Sequence, residues 1–229
     1  MEQLKIWDHF QNKEEMGDAF INALPRYEFL AKDIKPGVTA LNIGVGRGGL
    51  ESILTRNKVV VHCLDPSEET IDRLRKQYDL GARAQMGYSQ NMPFQDGEFD
   101  VVIMSEVLEH LTDEILYATL VEVRRVLKSD GYFIGTVPAN ERLADSEVAC
   151  PHCGKSFHRW GHVQSFDAST LKEVIQREFE TVELHRKYFV YWRLLNFKGK
   201  IAAFGKRILL ALGVHGSGET LVFVAKRRA

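Results

Sequence analysis

The sequence lacks any apolar run close to the roughly 18 residues that a membrane-spanning helix needs, so no spanning segment is expected. Cysteine is scarce: three residues in a chain of 229, an odd number that does not build a disulfide framework. Proline occurs only six times, and no low-complexity or collagen-like stretch is present. Neither sign of charge dominates, with 30 basic and 31 acidic side chains, so no whole-chain field draws nucleic acid and that class of partner is disfavoured. The first thirteen residues set Glu2, Lys5, Asp8 and Lys13 among apolar ones and lack the basic start and apolar core of a signal peptide. The expectation is a cytoplasmic protein.

What is present suits a folded α/β chain, with 45% hydrophobic and 27% charged residues. Short β-branched runs at Thr39–Ile43, Val59–Leu64, Ala82–Gly87, Phe99–Met104 and Tyr132–Val137 alternate with helical stretches, the signature of parallel βαβ units. Leu50–Thr55, Glu68–Tyr78 and Thr112–Leu127 supply helices, the last with Leu116, Leu120, Val123 and Leu127 on one stripe and Gly131 as the expected stop. Asn12–Ala31 suggests one or two helices interrupted at Pro25. Ser169–Phe179 is a further helix, and Thr181–Val190 and Leu221–Ala225 are strands. The expected fold is α/β, a Rossmann-like doubly wound sheet of seven strands with the last antiparallel. An N-terminal helical cap (1–36) precedes the main domain (37–229), which carries insertions at 139–167 and 191–218.

Leu41-Asn42-Ile43-Gly44-Val45-Gly46-Arg47-Gly48-Gly49 follows a strand and opens a helix, where glycines let backbone approach a nucleotide closely. Gly44, Gly46 and Gly48 form G-x-G-x-G, and Gly49 also completes G-x-G-x-x-G, so spacing alone leaves the nucleotide open. The second strand ends at Asp65, about twenty residues on, where a carboxylate accepts from ribose hydroxyls. A ligand-free tight turn at the glycines and a helix cap at Asp65, followed by Pro66 and Glu68, are the plain alternatives.

With these segments, Met92-Pro93-Phe94, Gly97–Val102 and Ser105-Glu106-Val107-Leu108-Glu109-His110-Leu111 in order, the chain resembles the class I S-adenosylmethionine-dependent methyltransferases from about Gly37 to Val137. The resemblance implies that Gly44, Val45 and Gly46 face the methionyl part of the cofactor, that Asp65 holds the ribose and that Pro66 flanks the adenine. It further implies cofactor contacts from Asn42, from Tyr88, Ser89 and Gln90, and from Ser105. Asn42 stands where the family usually has an acidic residue, and Gly87–Gln90 where it has another. His110 and Glu106, just past the fourth strand, are the candidate proton acceptors by type and location. The acceptor expected is a small molecule, glycan or lipid-linked compound, with oxygen the preferred atom. The alternatives are a cofactor-binding scaffold without activity, suggested by Asn42 and Tyr88, and a nicotinamide-dependent oxidoreductase, disfavoured by Met92–Leu111.

Cys150, Cys153, His158 and His162 complete C-x2-C-x4-H-x3-H, a spacing that suits a closed tetrahedral zinc site. Structural zinc is therefore expected, holding the loop that leaves the fifth strand, with His152 as an outside candidate ligand. Reduced cysteines beside two surface histidines are the alternative. Finally, no acidic residue lies between Glu183 and Glu219, a stretch that carries seven Lys and Arg. There Leu194, Phe197, Ile201, Phe204 and Ile208 recur at helical steps, as in an interfacial helix. Peripheral membrane contact through 191–212 and a lid packed on the domain are the two readings.

Overall fold

Parallel strands buried on both faces need helices on both sides, and the chain supplies them. The computed structural model describes residues 2–13 and 20–228. Strands β1 (Thr39–Ile43), β2 (Val60–Asp65), β3 (Ala84–Met86), β4 (Phe99–Ser105) and β5 (Leu127–Pro138) are parallel. A hairpin, β6 (Glu147–Ala149) with β7 (Ser156–His158), stands apart, and β8 (Phe179–Lys187) and β9 (Thr220–Arg227) close the main sheet. The seven-stranded order is β3-β2-β1-β4-β5-β9-β8, with β9 antiparallel to both neighbours. The sheet expected from sequence is therefore the one formed.

Helices α1 (Glu2–Asn12) and α2 (Leu24–Ala31) precede the sheet, with Pro25 in the first turn of α2, where its missing N–H costs nothing. Part of the helical stretch expected over 12–31 falls on 14–19, outside the described residues. One face of the sheet carries α2, α3 (Gly49–Arg56) and α4 (Glu68–Tyr78), joined through Ala40, Val61, Cys63, Leu54, Ile71 and Leu74. The other carries α5 (Asp113–Val126) and α6 (Ala168–Gln176), packed on Leu41, Val102, Met104 and Phe133. Residues 40 and 42 thus face α3 while 41 and 43 face α5, by the two-residue period of a strand.

Several elements differ from the sequence expectation: the strand expected over Thr181–Val190 runs from Phe179 to Lys187, the helix expected over Ser169–Phe179 ends at Gln176, and the strand expected over Ala82–Gly87 shortens to Ala84–Met86. The fifth strand begins at Leu127, where ψ turns to 141° and the residue pairs with Phe99, and Gly131 lies within the strand beside a register shift. Loop 139–167 contains the β6–β7 hairpin. The basic insertion forms α7 (Phe197–Ala211), capped by the Asn196 side chain, which accepts from Gly199 N at 2.9 Å. Its stripe is exposed, from 78% at Phe197 to 45% at Ile208, and Ala203 is its one buried residue. The packed-lid alternative for that stripe is not what forms. Among the described residues no helix is long and apolar enough to cross a membrane.

Candidate functional site

The carboxyl ends of β1, β2 and β4 meet at one edge, where open α/β sheets bind ligands. The glycine loop leaving β1 has three left-handed positions there, Gly44, Gly46 at φ +55° and Gly48. Gly44 has φ +76°, and a Cβ on it would lie 2.6 Å from Val107 Cγ2. Gly48, at φ +84°, caps α3, and its Cβ would lie 2.5 Å from Leu74 Cδ2. Both strain and contact exclude larger residues.

Asp65 closes this loop from β2. Its Oδ2 accepts from Val45 N at 3.1 Å and its Oδ1 from Ser67 N at 3.0 Å. The side chain is 2% exposed, and burial pushes its carboxyl up to about 6 against the two backbone N–H contacts. The cap of α4 is Ser67, whose side chain accepts from Thr70 N, so Asp65 is not the capping residue. Asn42 points beneath the loop, and its Nδ2 donates to Glu51 Oε1 at 2.6 Å. Burial raises Glu51 to about 7. A carboxylate from α3 thus lies buried against the Asn42 side chain. Sequence reasoning passed over Glu51, although its position two residues past the glycines was the available signal.

After β3, Tyr88 is half exposed and Ser89 Oγ shares a 2.8 Å hydrogen bond with Thr119 Oγ1 of α5, while Gln90 is part-buried between them and Asn91. Pro66 is part-buried beside Asp65. At the end of β4, Ser105 Oγ accepts from Arg26 Nε at 2.9 Å and pairs with Thr136 Oγ1 at 3.1 Å. Glu106 follows in the left-handed region, φ +57°, with Arg26 Nη1 3.8 Å from Oε2, and its Oε1 is buried without a hydrogen bond. Arg26, which no motif flagged, therefore ties the N-terminal helices to the site.

The roof is aromatic. Helix α1 lays Trp7 edge-on to His110 at 4.5 Å and Phe10 on Trp160 at 5.1 Å, and Gln11 accepts from Thr70 Oγ1 at 2.9 Å. Burial and the neighbouring His162 depress His110 to about 3, so its imidazole is neutral at ordinary pH.

The four expected zinc ligands fall into two groups. Cys150 and Cys153 share the hairpin tip, where backbone N–H groups of Cys153 and His152 hold the Cys150 thiol below its usual range. His158 pairs with Glu147 three residues down the hairpin, roughly 10 Å along the strand, and stacks on His162 at 4.6 Å. The histidines gather carboxylates that the sequence reading missed, Glu109 and Glu141. Among the described residues no cluster of three ligand atoms includes a cysteine.

A glycine turn after β1, a buried aspartate ending β2 and an antiparallel strand next to the sheet edge are those of the class I S-adenosylmethionine-dependent methyltransferase fold. Residues 41–135 match the family described as Methyltransferase domain. Over 104 residues the chain is 32% identical to Arginine-hydroxylase NDUFAF5, mitochondrial, of Danio rerio, covering 45% of this chain and 32% of that protein. It is 34% identical over 123 residues to the Fatty-acid O-methyltransferase of Mycolicibacterium smegmatis, covering 49% and 44%. The chain spans a third to a half of the length of these relatives. A chain in the complex of the Trm112 methyltransferase activator with a methyltransferase from Haloferax volcanii shares the fold, with TM-score 0.71, 18% identity and 98% of both chains covered.

Proposed function

We propose that the protein moves the methyl group of S-adenosylmethionine to an oxygen of a small-molecule, glycan or lipid-linked acceptor. The observation that carries this reading is the join of two half-sites at one sheet edge. Asp65 and the glycine loop form one, and Glu106 and His110 under an aromatic roof form the other. When bound, the cofactor supplies an electrophilic methyl group, and the displacement asks the protein for alignment and exclusion of water. Asp65 holds the ribose through charge-assisted hydrogen bonds. Trp7, Phe10 and Trp160 keep water from the acceptor. Glu106 Oε1, buried without a hydrogen bond beside the sheet edge, takes the hydroxyl proton while Arg26 holds Oε2.

The Mycolicibacterium relative supports oxygen and an apolar acceptor. Peripheral lipid contact is supported by the exposed stripe Phe197, Ile201, Phe204 and Ile208 among Lys198, Lys200, Lys206 and Arg207. Calorimetry with S-adenosylmethionine, S-adenosylhomocysteine and NAD tests the cofactor. A methyl-transfer screen over hydroxylated lipids, glycans and small acids tests the acceptor. Glu106→Gln is expected to lower kcat by about 10²-fold or more with cofactor affinity unchanged. Binding of NAD alone, or turnover indifferent to Glu106→Gln, refutes the respective step.

A further inference from the structure

Beside the methyl-transfer face, three histidines and two carboxylates pack together below the aromatic roof. Their hydrogen bonds fix which ring nitrogen of each histidine carries its proton. His110 Nδ1 lies 3.2 Å from the carbonyl oxygen of Gly161. A carbonyl only accepts, so Nδ1 donates and Nε2 keeps its lone pair, buried and without a partner. His162 Nδ1 donates to the Glu141 carboxylate, leaving its Nε2 lone pair facing Glu109 Oε1 at 4.0 Å. His158 is turned the other way. Its Nδ1 accepts from the backbone N–H of His162 at 3.1 Å, so its proton sits on Nε2, 3.5 Å from Glu141 Oε1.

Glu109 lies within reach of the His110 and His162 rings. Its side chain is 1% exposed, and neither carboxylate oxygen has a hydrogen-bond partner. A buried carboxyl stripped of every donor is costly unless a ligand completes it. Ligand atoms of Glu109, His110 and His162 all lie within 4.8 Å of one another, and metal bonds of roughly 2.0–2.2 Å would bring them to about 3.5 Å, a closure of about 1 Å.

We infer that Glu109, His110 and His162 form a two-histidine, one-carboxylate site for a first-row divalent cation, with Glu141 and His158 orienting His162. Such a donor set suits zinc, cobalt or iron better than magnesium. Three protein ligands leave open positions, unlike the closed cysteine–histidine set expected from spacing. An acceptor oxygen occupies one of them, a role that rests on the methyl-transfer reading, whereas the metal site itself does not.

The test uses the full chain, stripped with chelator and titrated with Zn2+ by calorimetry and with Co2+ by absorption. One ion per chain is expected, with only nitrogen and oxygen neighbours in X-ray absorption. Glu141→Gln is expected to weaken Zn2+ binding 10- to 100-fold, and His162→Ala to abolish it. Glu109→Gln, isosteric and tolerant of burial, decides the matter should His162→Ala fail to fold. Cys150→Ser with Cys153→Ser is expected to leave Zn2+ affinity within threefold. A sulfur shell, loss of Zn2+ with the cysteines, or no binding at all overturns the inference. Zn2+ binding by a chain that fails to bind S-adenosylmethionine upholds the metal site and refutes the methyl-transfer reading. Binding of S-adenosylmethionine without Zn2+ does the reverse.

Discussion

Cofactor affinity should depend on pH through Asp65. Burial raises this carboxyl from 3.8 to about 6, because Val45 N and Ser67 N only partly replace the water it has lost. The folded value lies above the unfolded one, so this group's stabilising contribution is whole below about pH 3.8 and is lost as pH rises through about 6. Above that, holding the charge costs on the order of 3 kcal/mol. Ribose hydroxyls donate to the ionised form, so cofactor binding selects the form that burial disfavours. At pH 5 about one molecule in eleven carries the charge, and the dissociation constant should be about tenfold weaker than its plateau above pH 7. Isothermal titration with S-adenosylhomocysteine from pH 5 to 8, on wild type and Asp65→Asn, measures this. The variant should bind more weakly by about 1.5–3 kcal/mol and lose the slope. Any slope that survives in the variant belongs to Glu51, raised to about 7 beneath the loop. Equal affinity and equal slope in both proteins would refute the role given to Asp65.

Gly44→Ala should lower stability by about 2 kcal/mol or more in urea unfolding, since φ +76° and the 2.6 Å approach to Val107 act together. Phe133→Ala should cost about 3–5 kcal/mol, because Phe133 is fully buried between Phe179 at 5.3 Å and Phe223 at 4.8 Å. Arg125→Met should loosen residues 92–96, whose carbonyls at Met92 and Phe94 accept from the guanidinium along with Glu122 and Asp96, at a cost of about 1–3 kcal/mol by thermal unfolding. Phe197→Ser with Phe204→Ser should leave unfolding within about 0.5 kcal/mol, both rings being exposed, yet abolish co-sedimentation with phosphatidylserine vesicles. Retained co-sedimentation would refute the interfacial role of α7.

Periodicity by itself determined the sheet. The runs at Thr39–Ile43 and Phe99–Met104 are apolar at most positions on both faces, with Thr39, Asn42 and Asp100 the exceptions, as covered parallel strands are, and the helices between them force right-handed crossovers. The glycine turn and Asp65 were legible for the same reason: strand, turn and helix are contiguous, so spacing carries geometry. The cysteine–histidine motif shows where that logic stops. Regular spacing suggested one site for Cys150, Cys153, His158 and His162, whereas among the described residues the groups of three ligand atoms join the histidines to carboxylates and include no cysteine. Which partners the histidines meet was decided by segments distant in sequence, Glu109 after β4 and Glu141 after β5, brought together by the register of those strands. Arg26 on Ser105 and Glu51 on Asn42 belong to the same kind, since their significance lies in a buried polar contact rather than in a pattern. Sequence shows which residues alternate and turn; only the packed sheet fixes which charges lose their water beside one another, and that loss sets their chemistry.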